Sequence, residues 1–136
     1  MAGRYLIVAN QTLGGERLDA GVRERISRDE RRFYVIVPMT QIEWEADLDE
    51  ARSKAQRRLD LMIARIKSLD GEAEGEVGVA DPLEATMTVL DRDPSFDEII
   101  VSTLPTHLSR WLKMDLPSRI ARLSDVPVTT IKAEDE

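Results

Sequence analysis

"FDEIIVSTLPTHLSRWLKMDLPSRIARLSDVPVTTI", residues 96–131, contains two short apolar runs joined by a longer segment of helical spacing. The first, Ile99-Ile100-Val101, is preceded by Asp97 and Glu98, and the second, Val126 to Ile131, carries Pro127 near its start. Apolar runs without polar alternation belong to strands covered on both faces, and two parallel strands need a crossover between them. Residues 96–131 therefore read as strand, partly helical crossover over 108–123, and strand. The question is whether the rest of the chain repeats that unit.

It does. "RYLIVAN", residues 4–10, is a buried strand that stops at Asn10 and the Gly14-Gly15 pair. In "ERLDAGVRERIS", Leu18, Val22 and Ile26 fall four apart on one face of an amphipathic helix. "RFYVIVP" is a second strand, ended by Pro38, which has no N–H for a ladder. From Trp44 the apolar or small positions Leu48, Ala51, Ala55, Leu59, Met62, Ile66 and Leu69 step by three and four, the spacing of one long helix with a narrow buried stripe. Its "DEARSKAQRR" surface is a solvated face. "GEVGVADP", residues 75–82, is a weaker third strand, in which Gly75 and Gly78 point to a sheet edge or a close backbone approach. "DPLEATMTVL" starts with a cap signal, Asp81 then Pro82 with Glu84 in the first turn, and turns Leu83, Met87 and Leu90 inward. "KAEDE" is a frayed tail.

Five strands alternating with helices predict one α/β domain over residues 1–136, a parallel sheet between two helical layers. In such sheets ligands sit outside the carboxyl ends of the strands, where the strand order reverses. That rim comprises residues 9–12, 38–41, 80–82 and 102–107. Composition narrows the chemistry. At 136 residues the chain can bury one core, and 42% hydrophobic with 33% charged residues is ordinary for a soluble domain. A net charge of −7 disfavours nucleic acid and acidic lipid. The absence of cysteine removes disulfides and thiolate sites, and His107, the single histidine, leaves no zinc cluster. Leu6 to Ala9 is too short for a signal-peptide core, and no stretch reaches the ~20 apolar residues of a membrane span. The expected location is the cytoplasm.

Ala80-Asp81-Pro82 leaving strand three, Asp97 entering strand four, Leu108-Ser109-Arg110, and Pro127-Val128 opening strand five, in that order and spacing, resemble the universal stress protein family over nearly the whole chain. The resemblance implies a flavodoxin-like, HUP-type sheet in the order 3-2-1-4-5, a ligand cleft between strands one and four, and a homodimer through strand five, here Pro127, Val128, Thr129, Thr130 and Ile131. An unpartnered strand at that edge would favour pairing in any case. In the nucleotide-binding branch, strand four leads into Gly-x-x-Gly, followed nine residues later by Gly and Ser or Thr, so that backbone N–H groups wrap the phosphates. Here those positions read Ser102, Pro105 and either Met114-Asp115 or Asp115-Leu116, and every glycine is missing. Pro105 removes an N–H, and Asp115 would set a carboxylate beside a triphosphate. Asp115, Leu116 and Pro117 also read as the capped start of a helix, with the Asp115 side chain taking the orphan N–H groups in place of an anion.

No catalytic set emerges. His107, Ser102, Ser109 and Asp115 have the residue types of a triad but no nucleophile elbow around them. "TLGGE" lacks the Lys-Ser or Lys-Thr of a phosphate loop and the third glycine of a dinucleotide fingerprint. In "SRWLKM", Trp111 reads equally as packing over the sheet or as part of a lid or partner surface. The expectation is a non-enzymatic stress-response or regulatory homodimer without family-type ATP binding and without a cofactor. The alternative is a module for a nucleotide, such as ATP or AMP, or another small anion, using Ala9, Asn10, Pro38, Ser102, Thr103, His107, Ser109, Arg110 and Asp115. No residue is expected to bind a metal.

Overall fold

The computed structural model describes residues 4–9, 16–28, 32–39, 48–103 and 110–132. Five strands, β1 (Arg4–Ala9), β2 (Arg32–Pro38), β3 (Glu72–Gly78), β4 (Glu98–Thr103) and β5 (Val128–Lys132), form one sheet in the order β3-β2-β1-β4-β5. Every pairing is parallel. The helices are α1 (Glu16–Ser27), α2 (Leu48–Ser68), α3 (Pro82–Arg92), α4 (Arg110–Lys113) and α5 (Leu116–Leu123). The three-layer α/β sandwich and the strand order expected from the sequence are both present.

Alternation along the strands divides the interior into two cores. Tyr5, Ile7 and Ala9 of β1, with Ile100 of β4, meet Leu18 and Val22 of α1 and Ala55, Leu59, Met62 and Ile66 of α2. Leu6, Val8, Ile99 and Val101 point the other way, onto Ala85, Val89 and Leu90 of α3, Trp111 of α4, and Leu116 and Ile120 of α5. Leu6, Ile7, Val8, Ile99, Ile100 and Val101 are all fully buried, so β1 and β4 are covered on both faces. That explains their unbroken apolar sequence. Among the described residues no helix is long and apolar enough to cross a membrane.

The structure corrects several details. β3 begins at Glu72, earlier than "GEVGVADP", because Ala73, between two exposed glutamates, is a core residue. Glu72, Glu74 and Glu76 share one face of this edge strand, and charged edges resist unwanted strand addition. A Cβ at Gly75 would overlap the Val35 carbonyl oxygen and stand 2.7 Å from Leu59 Cδ1, the close approach that the glycine signalled. In α3 the buried positions are Pro82, Ala85, Thr86, Val89 and Leu90, so the inward face is turned from the expected one and Leu83 and Met87 flank it. The start signal of α3 holds: the Asp81 side chain accepts from the N–H groups of Leu83 at 2.9 Å and Glu84 at 3.3 Å. Replacing Asp81 by Ala is expected to cost about 1 kcal/mol, read as a shift of the urea midpoint.

Trp111 is buried in the second core, which decides between its two readings in favour of packing. The helical segment after it breaks at Asp115, which takes a left-handed conformation (φ 56°, ψ 41°). Its N–H donates to Leu112 O at 3.1 Å, and its carbonyl accepts from Arg119 N at 3.1 Å. The expected side-chain cap is absent, because the αL backbone carries the turn and the carboxylate points to solvent.

Candidate functional site

The carboxyl ends of β1 and β4 form the rim at which the strand order reverses. Ala9 and Ser102 are register partners across it. On the next strand over, Pro38 pairs with Gly78, and Met39 N–H extends the ladder to Gly78 O at 2.9 Å. Thr103 pairs with Lys132 on the far side. Ser102 follows Ile100 onto the α1/α2 side and Thr103 follows Val101 onto the α3/α5 side, and their exposures are 2% and 0%. The two hydroxyls at the end of β4 are thus parts of the walls on either side of the sheet.

Of the expected ligand residues, Ala9, Pro38, Ser102 and Thr103 converge at this rim. Arg110 opens α4, and Asp115 closes the turn after it, exposed and without a cap bond. Asn10, Pro105, His107 and Ser109 lie outside the described residues. Among the described residues no group of histidines or carboxylates could hold a metal ion. A cavity of about 400 Å3 opens at the opposite end of the sheet, beside Arg32, Lys67, Glu72 and Glu74. Arg4 also lines it, so three cations and two acids nearly balance and mark out no strongly charged ligand.

Below the rim lies a polar network that composition and charge spacing do not announce. Arg25 of α1 is buried and grips Glu98 at the start of β4 with two bonds, Nε to Oε1 at 2.9 Å and Nη2 to Oε2 at 2.8 Å. Its Nη1 donates to Gly21 O at 2.8 Å, and its guanidinium lies 5.4 Å from the Tyr5 ring centre. The Thr129 hydroxyl of β5 donates to the same Glu98 carboxylate. Burial alone would push the Glu98 carboxyl up, but the hydrogen bonds from Arg25 and Thr129 and the charges of Arg25 and Arg28 outweigh it and hold the group below the usual range. The signal was available: Arg25 sits seven residues after Leu18, on the face that α1 buries. Asp19 is a second case, buried at 5% and bound by Arg65 Nε at 2.7 Å, which ties α1 to α2.

β5 ends the sheet, as the dimer expectation requires, but its apolar side chains are not simply exposed. Val128 packs toward the second core and Ile131 toward the first, while Pro127 stands in solvent. The outward edge of β5 offers backbone groups. At the other end of β1, Arg4 N–H donates to Asp97 Oδ2 at 2.9 Å, and Asp97 N–H returns a bond to Arg4 O at 2.8 Å. The acid before β4 is therefore a clasp between the two central strands.

Solved structures share this arrangement. A universal stress protein from Archaeoglobus fulgidus superimposes with a TM-score of 0.65 over 97% of this chain and 96% of its own, at 17% identity. The chain has the universal stress protein fold. A universal stress protein in complex with cAMP aligns with a TM-score of 0.64 at 15% identity, covering 98% of this chain and 100% of its own. The Archaeoglobus fulgidus protein in complex with dAMP gives 0.64 at 17% identity, covering 97% of this chain and 100% of its own. No protein-family model matches the chain, and no curated protein sequence does. The universal stress protein fold is thus retained at an identity that fixes no residue of a binding site.

Proposed function

We propose that this chain is a non-enzymatic, cytoplasmic regulatory protein of the universal stress protein type, a homodimer joined through β5, which holds no ATP in the glycine-loop manner. The observation that carries this reading is the end of β4. Where the nucleotide-binding pattern has glycines, this chain has the buried Ser102 and, at the turn before α5, an exposed αL Asp115 whose carboxylate would face a triphosphate. The dimer half is supported by the place of β5 at the sheet edge and by the three glutamates on the other edge strand, which leave β5 as the edge better suited to pairing. Calorimetric titration with Mg-ATP is expected to give no binding below a millimolar, and light scattering is expected to give twice the mass of one chain. Micromolar ATP affinity, or a monomer at micromolar concentration, overturns the corresponding half.

A second reading places a nucleoside monophosphate or other small anion in the β1/β4 cleft, and the cAMP and dAMP complexes of two fold neighbours favour it. One phosphate needs fewer loop donors than three. Asn10, Ser102, His107, Ser109 and Arg110 would supply the contacts, while Thr103, fully buried, would shape the wall beside them. AMP, cAMP and dAMP are titrated against wild type and Ser102→Ala: binding that the variant weakens supports this reading, and no binding below a millimolar removes it.

A further inference from the structure

A cavity of about 230 Å3 lies between the end of α3 and the turn that leads from α5 into β5. We propose that it docks a lysine or arginine side chain carried on an apolar segment of a partner protein. Size comes first. Small-molecule sites begin at about 300 Å3, so this cavity suits one long side chain better than a metabolite.

Its lining then sets the chemistry. Leu90 is buried at its base, and Met87 and Val126 pack half-buried beside it on the second core. Leu123 stands at its mouth with 58% of its surface exposed, more than any other large apolar residue among those described. The acids that line it are Asp91 and Asp125, both exposed. Among the described residues neither has a cationic partner. The nearby cations are engaged elsewhere or stand apart: Arg92 binds Glu76 and the Tyr34 hydroxyl, and Arg4 Nη1 binds Asp93 at 2.6 Å. Arg122 forms no ion pair with Asp125. Lysine and arginine combine an aliphatic stem with a cationic head, so the stem fits the Met87-Leu90-Leu123-Val126 surface while the head reaches the two carboxylates.

The rest of the turn is built to hold this shape. The Ser124 hydroxyl accepts from Val126 N–H at 3.0 Å, fixing Asp125 between them. Charge also decides the source of the occupant. The segment that follows β5 in this chain is Ala-Glu-Asp-Glu, which would meet Asp91 and Asp125 with like charge, and the whole chain stands at −7. A basic segment of a different protein is the complementary occupant.

The test uses a fluorescein-labelled peptide, acetyl-Leu-Lys-Leu-Arg-Leu amide, with anisotropy for affinity and methyl NMR for location. Wild type is expected to bind it with shifts confined to Leu90, Leu123 and Val126. Asp91→Asn/Asp125→Asn is expected to weaken binding at least about tenfold, the scale of one lost charge-assisted contact. Asp49→Asn/Asp60→Asn, the same charge change on α2 at the opposite face, is expected to alter it less than about twofold. Leu123→Gln, at a position already open to solvent, is expected to weaken binding with an unchanged urea midpoint. Equal losses in the two double variants would mean general attraction to an acidic chain and overturn the proposal. So would shifts elsewhere, no binding below a millimolar, or a change in oligomeric mass on removing Asp91 and Asp125, which would make the cavity a contact between copies.

Discussion

Arg25→Met is expected to lower the free energy of unfolding by about 3 kcal/mol, at the lower end for a buried ion pair that loses one partner. The side chains of Arg25 and Glu98 are 8% and 17% exposed, so water cannot replace the lost cation around Glu98. Arg25→Met/Glu98→Leu is expected to recover most of the loss, since no buried charge is then left alone. Urea unfolding followed by far-UV circular dichroism reads both, and a loss under about 1 kcal/mol in the single variant would show that the pair is screened. The same contact gives a pH dependence with a definite sign. The folded-state pKa of Glu98 lies below its ordinary value, so its contribution is present at neutral pH and is lost as pH falls through the folded value. Glu98→Gln is expected to flatten stability against pH on the acid side of about pH 4.5, and an unchanged slope would assign the acid sensitivity to other carboxylates. One of those is Asp93, held at about 2 by the Ser95 hydroxyl, then Arg4 and the Ser95 N–H.

Gly75→Ala is expected to cost about 3 kcal/mol, the upper end of overpacking, because the new Cβ meets the Val35 backbone carbonyl as well as Leu59. A side-chain end can move aside. The carbonyl is fixed in the β2 ladder, so β3 must shift away from β2, its one pairing strand among the described residues. Gly21→Ala is the matched contrast: its Cβ meets the tip of Ile131 at 2.8 Å, and the helix gains about 1 kcal/mol of propensity. The two midpoints should therefore differ widely. Equal midpoints would mean that β3 slides freely along the sheet edge.

The fold was legible because β1, β2 and β4 are continuous apolar runs and because the long stripe of α2 is regular. β3 was placed late because a two-sided edge strand with Glu72, Glu74 and Glu76 lacks the apolar run that marks a buried one. Asp115 does mark a helix boundary, but through its backbone: acid before Leu-Pro reads as a cap, whereas a positive φ is not visible in residue order. The buried role of Arg25 was hidden because charge is usually read as surface, although its spacing from Leu18 placed it inside. Missing glycines after β4 could be read directly, whereas the burial of Ser102 and Thr103 followed only from knowing which core each side of β4 faces.

The clasp between Arg4 and Asp97 joins residues 93 apart in sequence, and it closes the middle of the sheet rather than its rim. Such closure is slow, because a long loop must be ordered before its contacts form. During synthesis β1, α1, β2, α2 and β3 all precede β4, so one edge of β1 stays unpaired until the chain has grown past residue 103. An edge of the central strand β1, whose residues Leu6 to Val8 are fully buried in the finished sheet, is thus open for most of translation.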